Sequence, residues 1–121
     1  MNSTLITTNN HTYLEMLPDG SLVQSECDAL DLVAACGENS TDSLLLHGAS
    51  LPEDFFRLST GLAGAILLKF SNYHIRCALL ITPELEEQGR FHEMVLEANR
   101  RSTELHFFYE RGPAEEWLAS F

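Results

Sequence analysis

Few residues of this chain have the types and spacing that chemistry needs. His92-Glu93-Met94-Val95-Leu96 opens like a metalloprotease helix, in which two histidines four residues apart hold zinc beside a general-base glutamate. Leu96 stands where the second imidazole is required, and one imidazole on a helix does not hold a catalytic zinc. A surface helix is expected there. His47 closes an apolar run and can reach the C-terminal edge of a sheet, where α/β folds bind ligands. The commoner fate of such a residue is a hydrogen bond near the surface. Cys27, Cys36 and Cys77 are odd in number and include no CxxC pair, so neither a disulfide framework nor a zinc site of the usual spacing is expected. Cys77, inside IRCALLI, lacks the electropositive neighbours that make a thiol reactive and is expected in the core.

His47-Gly48-Ala49-Ser50 has one glycine and no lysine, so it is no phosphate loop, and no GxSxG elbow is present. Glu53 and Asp54 suit the first turn of a helix, where acids offset the positive end of the dipole. No constellation carries catalysis. The expectation is a non-enzymatic domain without cofactor or metal.

The elements that would position these residues follow from periodicity and turn chemistry. Residues 4–8 and 12–17 read as short strands around an Asn9-Asn10 hairpin, because asparagine tolerates positive φ. SECD at Ser25 is a capping box that opens a helix with Leu30, Val33 and Ala34 on its buried face, and Gly37 is suited to end it in a left-handed conformation. SLLLHGASL (43–51) and IRCALLI (75–81) read as buried strands. Ser50 with Glu53 forms a second capping box around Pro52, starting a helix to about Tyr73. A third helix runs from Thr82-Pro83-Glu84 through Phe91 and Ala98, followed by a strand at 103–110 and a short helix from Gly112-Pro113. The order β-β-α-β-α-β-α-β-α predicts one α/β domain over residues 1–121, with a mainly parallel sheet and helices packed on it.

The helix expected from Pro52 carries two glycines, each costing about 1 kcal/mol relative to alanine. On a wheel, Phe55, Ser59, Leu62, Ala63, Ile66, Phe70 and Tyr73 share one face, expected against the sheet. Thr60, Gly64 and Leu68 form another stripe, with Gly61 beside it and Arg57 flanking. Small residues there admit a close backbone, either a neighbouring element of the same domain or a protein partner, a second copy included. Arg57, Thr60, Gly61, Gly64 and Leu68 are the expected partner-binding residues.

Eighteen acidic against seven basic residues give a formal net charge of −11. That surface repels phosphate backbones and anionic lipids, so neither direct nucleic-acid binding nor membrane binding is expected. The extreme functional alternative is an acidic decoy that inhibits a nucleic-acid-binding protein. Another is a small-molecule binder or enzyme at the sheet edge near His47 and Thr82. The N-terminal MNSTLITTNN shows no basic region followed by a long apolar run, so a cytoplasmic protein without a signal peptide is expected.

The segment DFFRLSTGLAGAILLKFSNY resembles that of a bacterial family of small uncharacterised proteins, domain of unknown function 4180, in which a similar segment precedes a hydrophobic strand. The likeness extends over about residues 28–110 and implies kinship without an activity. Leu58-Ser59-Thr60-Gly61-Leu62 is similar to the motif that begins the second helix of STAS domains, the anti-sigma-factor antagonist type. That resemblance implies a STAS-like fold, regulation through a protein partner, and a phosphorylated hydroxyl at Thr60 with Ser59 beside it. Leu58 replaces the usual aspartate, and a helix starting at Pro52 would put Thr60 in its interior.

Overall fold

The computed structural model describes residues 3–8, 10–18, 20, 22–57, 60–82, 93, 95–96, 99–100 and 104–120. Strands β1 (Ser3–Thr8) and β2 (His11–Met16) form the expected hairpin, antiparallel, with Asn10 at φ +60°. Three further strands follow in parallel, β3 (Ser43–His47), β4 (Arg76–Leu80) and β5 (Leu105–Phe108), and the spatial order β1-β2-β3-β4-β5 is the chain order.

Sequential parallel strands joined by right-handed crossovers put their connecting helices on one face of the sheet. Helices α1 (Glu26–Glu38) and α2 (Leu62–Asn72) accordingly share the larger core with Leu14, Leu44, Leu46, Cys77, Leu79 and Phe107. Val95, one of the described helical residues 93, 95–96 and 99–100, is buried there too. Of the helix expected from Thr82, residues 93, 95–96 and 99–100 are described and helical, and its other residues from 83 to 98 lie outside the described residues. The opposite face is covered by the last helix, α3 (Arg111–Ala119), whose Ala114 and Leu118 pack on Tyr13, Leu45 and Ala78. The fold is α/β with a five-stranded, mostly parallel sheet.

Helix α1 starts as expected: the Ser25 hydroxyl accepts from Asp28 N–H at 3.3 Å, and Asp28 accepts from Gln24 N–H at 2.9 Å. Two expectations for it fail. Its fully buried residues are Ala29, Leu32 and Cys36; of the expected face, Val33 packs partly buried against the core, Leu30 is half-buried and Ala34 is exposed. Gly37 remains helical, and the left-handed position falls to Ser40 at φ +56°. Thr41 N–H bonds the Cys36 carbonyl and Ser40 N–H the Gly37 carbonyl, which is the paired arrangement that closes a helix C-terminus.

The long helix from Pro52 is the main correction. Gly48–Ser50 and Glu53–Phe56 are short 3-10 turns, and α2 begins only at Leu62. Gly61 stands at φ +74°, a left-handed conformation that costs an L-residue roughly 1–2 kcal/mol and ends helical continuity. The second capping box does not form: the Ser50 hydroxyl is buried with no hydrogen-bond partner and Pro52 is the turn's cap. Phe55, Ala63, Ile66 and Phe70 are buried as expected, whereas Tyr73 is 55% exposed. Leu58 and Ser59 lie outside the described residues.

Candidate functional site

Strand β2 alternates in the sense TYLEM. Leu14 and Met16 point into the α1/α2 core, so Tyr13 and Glu15 must face α3. Glu15 is nonetheless buried, with 7% of its side chain exposed. A buried carboxylate needs partners, and two other elements supply them. His47, at the C-terminal end of β3, donates from Nε2 to Glu15 Oε2 at 2.6 Å. Arg111, in the first turn of α3, donates from Nη2 to Oε2 at 2.6 Å and from Nη1 to Oε1 at 3.1 Å. Arg111 Nη1 also donates to the Tyr13 hydroxyl at 3.0 Å, which donates to Glu115 Oε2 at 2.5 Å.

The electrostatics follow from that geometry. Burial pushes the Glu15 carboxyl up, but the hydrogen bonds and charges of Arg111 and His47 outweigh it and hold the group below its ordinary value. Burial first, and the bond to Glu115 second, push the Tyr13 phenol up to about 12. An ionised Glu15 is an acceptor only, so the proton of the short contact sits on His47 Nε2. In the neutral ring Nδ1 is then an acceptor, with no hydrogen bond to it among the described residues.

His47 lines a concavity of about 270 Å³ at the C-terminal ends of the parallel strands. Pro18, Gly48, Ala49, Leu80, Ile81, Thr82 and Tyr109 complete it. Apolar walls from Leu80, Ile81 and Pro18 stand beside the imidazole and two hydroxyls. A second concavity of about 460 Å³ lies at the other edge, lined by Asn10, His11, Thr12, Gly37, Ser40, Thr41 and Asp42. It offers no apolar wall, and its histidine is engaged with Ser43 Oγ at 2.9 Å. A concavity therefore lies at the edge near His47 and Thr82 named from the sequence. Glu15 and Arg111 behind it were not anticipated. The available signal was one carboxylate in an otherwise uncharged strand.

The residues expected to bind a partner are brought together differently from the expected stripe. Thr60 precedes α2, so Thr60, Gly64 and Leu68 do not share one helix. The Thr60 hydroxyl donates towards the carbonyls of Asp54 at 2.6 Å and Arg57 at 2.9 Å, and accepts from Leu62 N–H at 3.3 Å. Thr60 is exposed at the entry to the helix, the reverse of the interior position expected. Arg57 is exposed and pairs with Glu53 at 2.5 Å. Gly64 is exposed, a Cβ there meets nothing within 4 Å, and Leu68 is 58% exposed. Neither is packed within the described domain. Ser59 lies outside the described residues, as does His92 of the zinc-like motif; Leu96 is exposed. Cys77 is fully buried as expected, and burial drives its thiol well above the ordinary value. No helix among the described residues is long and apolar enough to cross a membrane.

No curated protein and no solved structure matches the chain. Residues 8–118 match the family described as domain of unknown function (DUF4180), a span that takes in β2 to β5, α1, α2, all but the last residue of α3, and every residue of the His47 site. The chain belongs to the DUF4180 family.

Proposed function

We propose that the domain is a non-enzymatic binder of a small molecule at the C-terminal edge of its sheet, with His47 as the presenting group. One observation carries this reading: a buried carboxylate, Glu15, itself held by Arg111, fixes His47 in the wall of a concavity with apolar neighbours. Small-molecule sites combine such walls with a few placed polar groups. A carboxylate-oriented histidine is also half of an acid–base constellation. The nucleophile half is missing among the described residues, since no hydroxyl or thiol is hydrogen-bonded to His47, and binding is favoured over turnover. A ligand with a hydrogen-bond donor for Nδ1 and a small apolar body fits the site.

The test is a nitrogen-15 NMR titration of the chain with a panel of small amides, alcohols and amines. Shifts should cluster at His47, Gly48, Thr82 and Tyr109 and vanish in His47→Ala. Panel members that bind only elsewhere, or bind His47→Ala equally, would sink the reading.

A second reading makes the chain a regulatory domain of a bacterial or phage-like cytoplasmic protein, with a STAS-like fold. It would bind a protein partner through Arg57, Thr60, Gly61, Gly64 and Leu68, with Thr60 or Ser59 as phosphorylation target. Its support is the exposure of Thr60 immediately before α2 and of Gly64 and Leu68 along it. A partner captured by the wild type and lost on Leu68→Arg, with the melting temperature unchanged, is the outcome it requires. The decoy reading gains no such support: the exposed carboxylates spread over α1, the Glu53–Phe56 turn and α3, and Glu15 is interior.

A further inference from the structure

The sheet ends in two edges that are finished differently. At β5, the Asn99 side-chain amide covers the outer backbone of Phe107: Oδ1 accepts from Phe107 N–H at 2.7 Å and Nδ2 donates to its carbonyl at 3.2 Å. That amide takes the place of a further strand's peptide group, and Glu104 and Glu110 flank the strand. Such devices keep an edge from pairing again.

At β1 no such device is found among the described residues. Ser3–Thr8 pairs with β2 in an unbroken register, so no bulge twists it away. STLITT carries no charge, no proline and no glycine, in a chain of eighteen acidic and seven basic residues. The side-chain bond of β1, Thr7 Oγ1 with Thr12 Oγ1 at 3.0 Å, turns back to β2. Leu5 is 44% exposed.

We propose that β1 pairs antiparallel with β1 of a second copy, joining two five-stranded sheets into one. Charge selects this occupant. Two chains of net charge −11 repel each other least where neither displays a carboxylate, and β1 itself carries none. Register supports it as well. Residues opposed in an antiparallel ladder point to the same face. A two-fold axis through Leu5 sets Leu5 against Leu5, Ser3 against Thr7, and Thr4 against Ile6. Leu5, opposite Leu14, then meets its copy on the α1/α2 side, while Ile6, opposite Tyr13, stays on the α3 side. Every pair is uncharged, and the aliphatic and β-branched pairs are of the kind that stabilise ladders. An isologous contact closes at two copies and leaves β5 as the outer edge. This interface is independent of the His47 site.

The test is sedimentation and light scattering of the whole chain over a dilution series. A dimer mass that falls to monomer on dilution is expected. Leu5→Lys sets two ammonium groups at the axis and should weaken the dimer by at least about tenfold, roughly 1.4 kcal/mol. In a Cys27→Ser background, Leu5→Cys should cross-link on mild oxidation, and Thr7→Cys should not. A monomer at every concentration overturns the proposal. So does a dimer indifferent to Leu5→Lys, or equal cross-linking at both cysteine positions, and the cross-linking pair decides even if Leu5→Lys fails to fold.

Discussion

His47 Nε2 donates to Glu15 Oε2 at 2.6 Å, tying the C-terminal ends of two neighbouring parallel strands through side chains. Arg111 closes on the same carboxylate from the first turn of α3. One buried acid thus holds the helix to the sheet and fixes the ring of the histidine that faces the concavity. Positioning of the site and cohesion of that face are the same set of bonds.

Acid should weaken the fold through Glu15. Its folded-state pKa lies below the ordinary 4.5, so its contribution is fully present above that value. The contribution is lost as pH falls through the lower folded value, because the unfolded chain then binds the proton more readily. Urea denaturation at descending pH should show stability falling in this window, with a shallower fall in Glu15→Gln. Arg111→Ala leaves part of a buried carboxylate unpaired and should cost about 1–3 kcal/mol at neutral pH. A neutral-pH loss near zero would show that Arg111 does not bind the acid in solution.

Alkali should act through Tyr13. The phenol is raised from 10.0 to about 12, so its contribution is complete below 10 and disappears as pH rises towards 12. Ultraviolet titration should resolve one tyrosine ionising near 12, and Tyr13→Phe should delete that phase. The same variant should lose about 0.5–1.5 kcal/mol at neutral pH, the usual net worth of a hydrogen bond.

The strands were legible because apolar runs bounded by turn residues admit few alternatives, and Asn10 indeed turns the hairpin with positive φ. The segment 52–61 departs from the expected helix for a specific reason. Phe55, Ala63, Ile66 and Phe70 all face the core, and their spacing fits both one long helix and a 3-10 turn followed by a shorter one. Gly61 is the deciding signal: a small residue suits a close-packed helix face, but here it is the left-handed entry to the helix. His47 could be placed at the sheet edge from its position after an apolar run. Its partners could not: Arg111 is 96 residues from Glu15, and only the sheet order and the return of α3 bring them together.

Phe55→Ala and Phe70→Ala should each cost about 3–5 kcal/mol, the usual range for a core phenylalanine. Both are 2% exposed or less, one in the 3-10 turn and one in α2, so the two losses together report whether turn and helix share a core. Chemical denaturation giving less than about 1 kcal/mol for both would mean that this face is wrongly assigned.

The two glycines of LSTGLAG should respond to alanine with opposite signs. Gly64 is helical and exposed, and a Cβ there meets nothing within 4 Å. Gly64→Ala therefore keeps every contact and restricts the unfolded chain, a gain of about 0.4–1 kcal/mol. Gly61 also has open space around it, yet its φ of +74° is one that L-residues rarely adopt. Gly61→Ala should lose about 1–2 kcal/mol by strain alone. It would also shift the Thr60 hydroxyl, which bonds Leu62 N–H at 3.3 Å and anchors the turn to Asp54 and Arg57. Urea denaturation of the two variants side by side measures the contrast. If Gly61→Ala instead stabilises the chain as much as Gly64→Ala, the left-handed entry is absent in solution and α2 extends back towards Pro52. Thr60, Gly64 and Leu68 would then line one continuous helix after all.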